Sequence, residues 1–138
     1  MPVTWDVTMS TGVAKIDHQH QELISKLNAL LEAMQKGKGK DEIGKLIAFL
    51  GEYVVKHFSD EEAEMERLKC AVATANRIAH QQFVKKFTEI RDRFHKDGVS
   101  PKLVIDVQQA LLDWFIAHIR SIDTKLALAA KSKAVAVK

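Results

Sequence analysis

Six side chains in this sequence combine types and spacings that suit metal chemistry: His20, His57, Glu61, His80, His118 and Asp123. Each terminates an apolar helical face. Backing up from Leu27 through Ile24 and Leu23 leads to His20, and running forward from Leu50 and Val54 leads to His57 and then Glu61. Backing up from Phe87 and Phe83 leads to His80 and then Asn76; running forward from Leu111 and Trp114 leads to His118, with Asp123 beyond it. A lone histidine on an apolar face is ordinarily a neutral core residue bonded to a carbonyl. Four such histidines with carboxylates in phase would leave many buried polar groups unpaired, each costing several kcal/mol. A cluster of cations satisfies them together, as in metal sites built inside helix bundles.

Imidazole and carboxylate with no thiolate suit iron, manganese or zinc. The set exceeds the needs of one tetrahedral zinc, whereas two metals bridged by Glu61 and Asp123 use every member. His57 and Glu61 are four residues apart and share a helical face. His118 and Asp123 are five apart, about 140° around an ideal helix, so a widened π turn is needed to aim both inward. His18 lies about 200° around the helix from His20 and is expected at the surface or behind a ligand. His95, beside a chain break, is expected to be solvated. Cys70 reads as a small core filler, and as the single cysteine it fits a reducing compartment.

These side chains must be positioned by helices. The breaks "GKGKD" at 37–41 and "KDGVSP" at 96–101 separate segments whose apolar residues recur at helical spacing, and no stretch alternates as a strand would. Ser100 and Pro101 form a helix start, serine capping and proline at the first position. The four faces are Leu23, Ile24, Leu27, Leu30, Leu31 and Met34; Ile43, Leu46, Ile47, Leu50 and Val54; Phe83, Phe87, Ile90 and Phe94; and Val104, Val107, Leu111 and Trp114. The second and third segments meet in "MERLKCAVATANR", which has no Gly or Pro to define the turn. The expected fold is all-α, an antiparallel up-down-up-down four-helix bundle with an extended N-terminal arm. One domain over 1–128 and a short, frayed basic tail over 129–138 account for the chain.

Composition narrows the function. The chain is 46% hydrophobic and 28% charged, with a net charge of +3 and scattered lysines. That pattern offers no concentrated basic face for nucleic acid. There is no apolar run of about 18 residues to span a membrane, and the N-terminus lacks the pattern of a secretory signal. A soluble cytoplasmic protein is expected.

Taken together, "WDVTMSTGVAKIDHQHQEL", "HFSDEE", the histidine of "AHQQF" and "WFIAHIRSID" resemble a bacterial hemerythrin, in order and from Trp5 to about Leu126. The resemblance implies an up-down bundle holding two non-haem iron ions with an oxygen bridge, which bind dioxygen reversibly. By motif position, His20 and His57 would be terminal ligands of the iron that meets dioxygen. Glu61 and Asp123 would bridge the irons, and His80 and His118 would ligate the second. The family's further histidine falls four residues before His80, where this chain has Asn76. Asn76 would ligate weakly through its amide oxygen, hold a water in the open position, or leave the second iron loosely bound; the water role is preferred. Trp114, one turn before His118, is placed to wall the pocket. The implied role is carriage, storage or delivery of dioxygen, with dioxygen as the partner and no protein partner indicated. A di-iron enzyme reducing peroxide or nitric oxide, or an oxygen or iron sensor, is the alternative that Asn76 raises.

Overall fold

The computed structural model describes residues 3–129 and 131. Three long helices, α1 (Ala14–Gln35), α2 (Lys40–Arg67) and α3 (Ala73–Asp97), precede a fourth that starts at Pro101. The described residues contain no strand. Connections of a few residues force antiparallel neighbours, and the helices close a ring: α1 on α2, α2 on α3, and the fourth helix against both α3 and α1. The expected bundle is what forms. Of the expected tail, only Ala129 and Lys131 are described, and both are helical; residues 130 and 132–138 lie outside the described set. No helix among the described residues is long and apolar enough to cross a membrane.

The apolar faces pack as their periodicity demands. Leu23, Ile24, Leu27, Leu30, Leu31 and Met34 of α1 are buried, as are Ile43, Ile47, Leu50 and Val54 of α2 and Phe83, Phe87, Ile90 and Phe94 of α3. Each contributes about 1.5–3 kcal/mol of burial relative to exposure. A smaller cluster of Ile16, Met65, Leu68, Cys70 and Leu126 caps one end of the bundle. The structure therefore places Cys70 as core.

The fourth helix departs from the expected face. Its winding changes along its length: α over Pro101–Asp106, π over Val107–Asp113, α over Trp114–His118, and π again over Ile119–Asp123. Leu103 rather than Val104 is buried before the first π segment, and Leu112 and Phe115 rather than Trp114 toward its end and beyond. The wider π turn rotates the residues beyond it, so a count at 3.6 residues per turn drifts off the true face.

Helix ends explain the connections. Ser100 accepts from the Leu103 amide at 3.1 Å, the cap expected from sequence. Helix α1 ends with Lys38 N–H donating to Ala33 C=O at 3.0 Å around Gly37 at φ 68°. The turn after α2 repeats that motif without glycine: Cys70 N–H donates to Met65 C=O at 2.8 Å around Lys69, at φ 54°. A left-handed backbone costs a residue with a Cβ about 1–2 kcal/mol, partly offset by the greater unfolded freedom of glycine. Lys69→Gly is therefore expected to stabilise the fold by about 0.5–1 kcal/mol. Thermal unfolding followed by circular dichroism should show a midpoint a few degrees higher.

The N-terminal arm is tied down. Val3 N–H donates to Asn28 Oδ1 at 3.1 Å, and Asn28 Nδ2 donates to the Val3 carbonyl at 2.6 Å. Asp17 accepts from the Thr11 amide and hydroxyl, both at 2.7 Å, and from Ser10 Oγ at 2.6 Å. These bonds fix the first turn of α1, directly before His20.

Candidate metal centre

Antiparallel order brings four histidines to one level. His20 is near the start of α1, His57 in the C-terminal half of α2, His80 near the start of α3, and His118 closes the second α segment of the fourth helix. Up-down topology puts all four toward the same end of the bundle. There His20, His57, Glu61, Asn76 and Asp123 are fully buried, and His80 and His118 are exposed by 5% or less. The second π segment does what the five-residue spacing required. Thr124 N–H reaches back to Ile119 C=O at 3.0 Å, and His118 Nε2 lies 3.2 Å from Asp123 Oδ1.

Two donor groups result, one of His20, His57 and Glu61, the other of Glu61, His80, His118 and Asp123. Each carboxylate is divided between histidine pairs. Glu61 Oε2 is 2.9 Å from His20 Nε2 and 3.5 Å from His57 Nε2, while its Oε1 is 3.1 Å from His80 Nε2. Asp123 Oδ2 is 3.2 Å from His20 Nε2, while its Oδ1 faces His118. Despite this crowding, His57 Nε2, His80 Nε2 and both Asp123 oxygens have no hydrogen-bond partner. Their lone pairs converge without bonding one another. Orphaned buried acceptors of this kind are costly, and a pair of cations among them fits the donor chemistry.

Outer ring nitrogens are held selectively. His57 Nδ1 donates to Gln19 Oε1 at 2.9 Å, and Gln19 Nε2 donates to Asp60 Oδ2 at 2.8 Å. His80 Nδ1 donates to Glu62 Oε2 at 2.9 Å. Both bonds leave Nε2 as the lone-pair nitrogen facing inward. His18 and His95 are both exposed, and both lie outside this network.

The profile of the Hemerythrin HHE cation binding domain matches residues 11–130. The chain belongs to the hemerythrin family. It is 32% identical over 122 residues to a bacteriohemerythrin of Pseudomonas paraeruginosa, covering 88% of this chain and 76% of that protein. It is 30% identical to the bacteriohemerythrin of Methylococcus capsulatus, covering 88% and 91%. A crystal structure of wild-type hemerythrin superposes with a TM-score of 0.80 at 28% identity, covering 94% of this chain and 98% of that one.

In this candidate centre the charges balance internally. Burial opposes a charge on His20, but the carboxylates of Asp123 and Glu61 beside it outweigh that and raise the imidazole to about 9. Burial pushes His57 down to about 3, so it is neutral and ready to donate a lone pair. Burial also raises Asp123, reinforced by the nearby charge of Glu61. Glu61 lies well below the usual carboxylate range: burial opposes its charge, but the imidazoles of His20 and His80 against its two oxygens prevail.

Several functional neighbours escaped sequence reasoning. Gln19, Glu62, Phe58 and Phe115 each adjoin a candidate ligand or lie on the corrected face, but nothing in their spacing marks them. Phe58 stacks on His80 with centroids 3.7 Å apart. Phe115 packs edge-on to His20 and His57 at 5.5 and 6.2 Å. Trp114 instead stacks on His118 at 4.7 Å and meets Phe83 at 4.9 Å. The wall beside His20 and His57 is thus Phe115, and Trp114 backs the opposite histidine pair.

Proposed function

We propose that the protein binds dioxygen reversibly at two non-haem iron ions joined by an oxygen bridge. His20 and His57 would hold the ion that meets dioxygen, His80 and His118 the other, and Glu61 and Asp123 would span both. The observation that carries this reading is the division of each buried carboxylate between two histidine pairs, and the hemerythrin relatives support it. When bound, the iron pair supplies the reversible electron transfer that dioxygen binding requires. The chain supplies geometry and shelter. Gln19 and Glu62 orient imidazoles, and Phe115 excludes water beside His20 and His57.

Binding rather than turnover is favoured by that wall, because a phenyl ring has no proton to give a reduced ligand. The proposed setting is the cytoplasm, where buried Cys70 would stay reduced. Iron analysis should find two ions per chain. Stopped-flow mixing of the ferrous protein with dioxygen should give a persistent spectrum that reverses when dioxygen is removed. Iron content well below two per chain would overturn the di-iron assignment. Rapid decay with turnover of added peroxide would overturn carriage in favour of an enzyme.

A further inference from the structure

Each carboxylate reaches both histidine pairs, whereas His118 alone among the described histidines is bonded by Asn76. The Asn76 carboxamide is fully buried. Asn76 Nδ2 donates to Glu61 Oε1 at 3.0 Å and to Met65 Sδ at 3.2 Å. The amide orientation follows from these partners, since the reverse would set its oxygen against a carboxylate. Asn76 Oδ1 accepts from His118 Nε2 at 2.7 Å.

That last bond cannot survive metal binding. When His118 Nε2 gives its lone pair to an ion, it has no proton left to donate, and Asn76 Oδ1 becomes a buried acceptor without a partner. Donor atoms at about 2.1 Å from one ion and at right angles to each other lie about 3 Å apart. The separation of Oδ1 from His118 Nε2, 2.7 Å, and that of Asp123 Oδ1 from the same nitrogen, 3.2 Å, both suit neighbouring donors on one ion.

We propose that Asn76 Oδ1 is a weak, exchangeable donor at the His80–His118 position, and that small anions bind there in its place. The inference rests on the di-iron reading above. A neutral amide oxygen holds iron less firmly than an imidazole or an anion does. The exchange is a ligand substitution with no electron transfer: the anion donates a lone pair and the amide oxygen withdraws. The Asn76 Nδ2 proton now given to Met65 sulfur, a weak acceptor, then turns to the anion. An approach exists on this side of the bundle. Met65 lines a groove of about 900 Å³ between α2 and α3, together with Glu62, Cys70, Ala73, Arg77 and His80. The flexible Met65 thioether thus borders the groove and touches the amide.

The test is azide titration of the oxidised, iron-loaded protein, read by azide-to-iron absorption and by calorimetry. Two azides per two-iron centre are expected, with distinct affinities. Asn76→His, which replaces the amide with a firm imidazole donor, should bind one. Asn76→Asp provides a nearly isosteric second variant should the histidine fail to fit; its anionic oxygen should weaken the second azide at least tenfold. A single azide on wild-type protein carrying two irons would overturn the proposal alone, as would two azides of unchanged affinity on both variants. Failure to load iron would overturn the di-iron reading and this proposal with it.

Discussion

Glu61→Gln is expected to empty both metal positions at once. Glu61 is the one residue shared by the two donor groups, and each of its oxygens faces a different histidine pair. A glutamine keeps the shape but offers one neutral oxygen and replaces the other with a donor. The bridge is lost and so is a charge that balances two cations. Even changes to groups behind a ligand cost about 10–100-fold in metal affinity, so loss of a bridging ligand should exceed a hundredfold at each position. The metal-free variant should remain helical, because the apolar faces that hold the four helices together are untouched. Iron analysis alongside thermal unfolding with and without iron would check this. Iron should stabilise the wild-type protein strongly and the variant hardly at all. Retention of one ion by Glu61→Gln would show that the two positions fill independently, contrary to the shared-bridge geometry.

Phe115→Ala should be the most damaging change outside the ligands. Its side chain is 1% exposed and its ring touches His20 and His57 edge-on. Truncating a buried phenylalanine costs about 3–5 kcal/mol through lost contacts and an incompletely collapsed cavity. The cavity would open beside the histidine pair assigned to dioxygen and admit water there. The oxygenated form should therefore decay many times faster, and Phe115→Leu, which keeps most of the volume, should fall between the two. Denaturant unfolding gives the stability change, and decay of the oxygenated spectrum gives the functional one. Trp114→Phe provides the contrast: Trp114 stacks on His118 and is only partly buried, so the lifetime should change far less.

Much of this molecule is legible in its periodicity. Apolar residues at helical spacing specify four amphipathic helices, and short breaks specify antiparallel order. Extending the phase of each face leads to His20, His57, Glu61, His80 and His118. The five-residue interval to Asp123 even stated a demand, a widened turn, which the π segment over Ile119–Asp123 meets. These readings succeed because helical phase is local: it needs only the residues of one helix.

Contacts that depend on a second helix were not legible. The partner of His57 is Gln19 on α1, and the partners of Asn76 are Glu61 on α2 and His118 on the fourth helix. No spacing within one helix encodes such a bond. The π segment over Val107–Asp113 likewise shifted the inward face from Trp114 to Phe115, since helical winding answers to packing as well as to propensity. The sequence alone determined which residues could meet at one end of a bundle, because burial of an apolar stripe sets the direction of its polar neighbours. Only the tertiary structure decided how they meet, with each carboxylate divided between two histidine pairs and an amide held among them. Those distances come from the packing of four helices against one another.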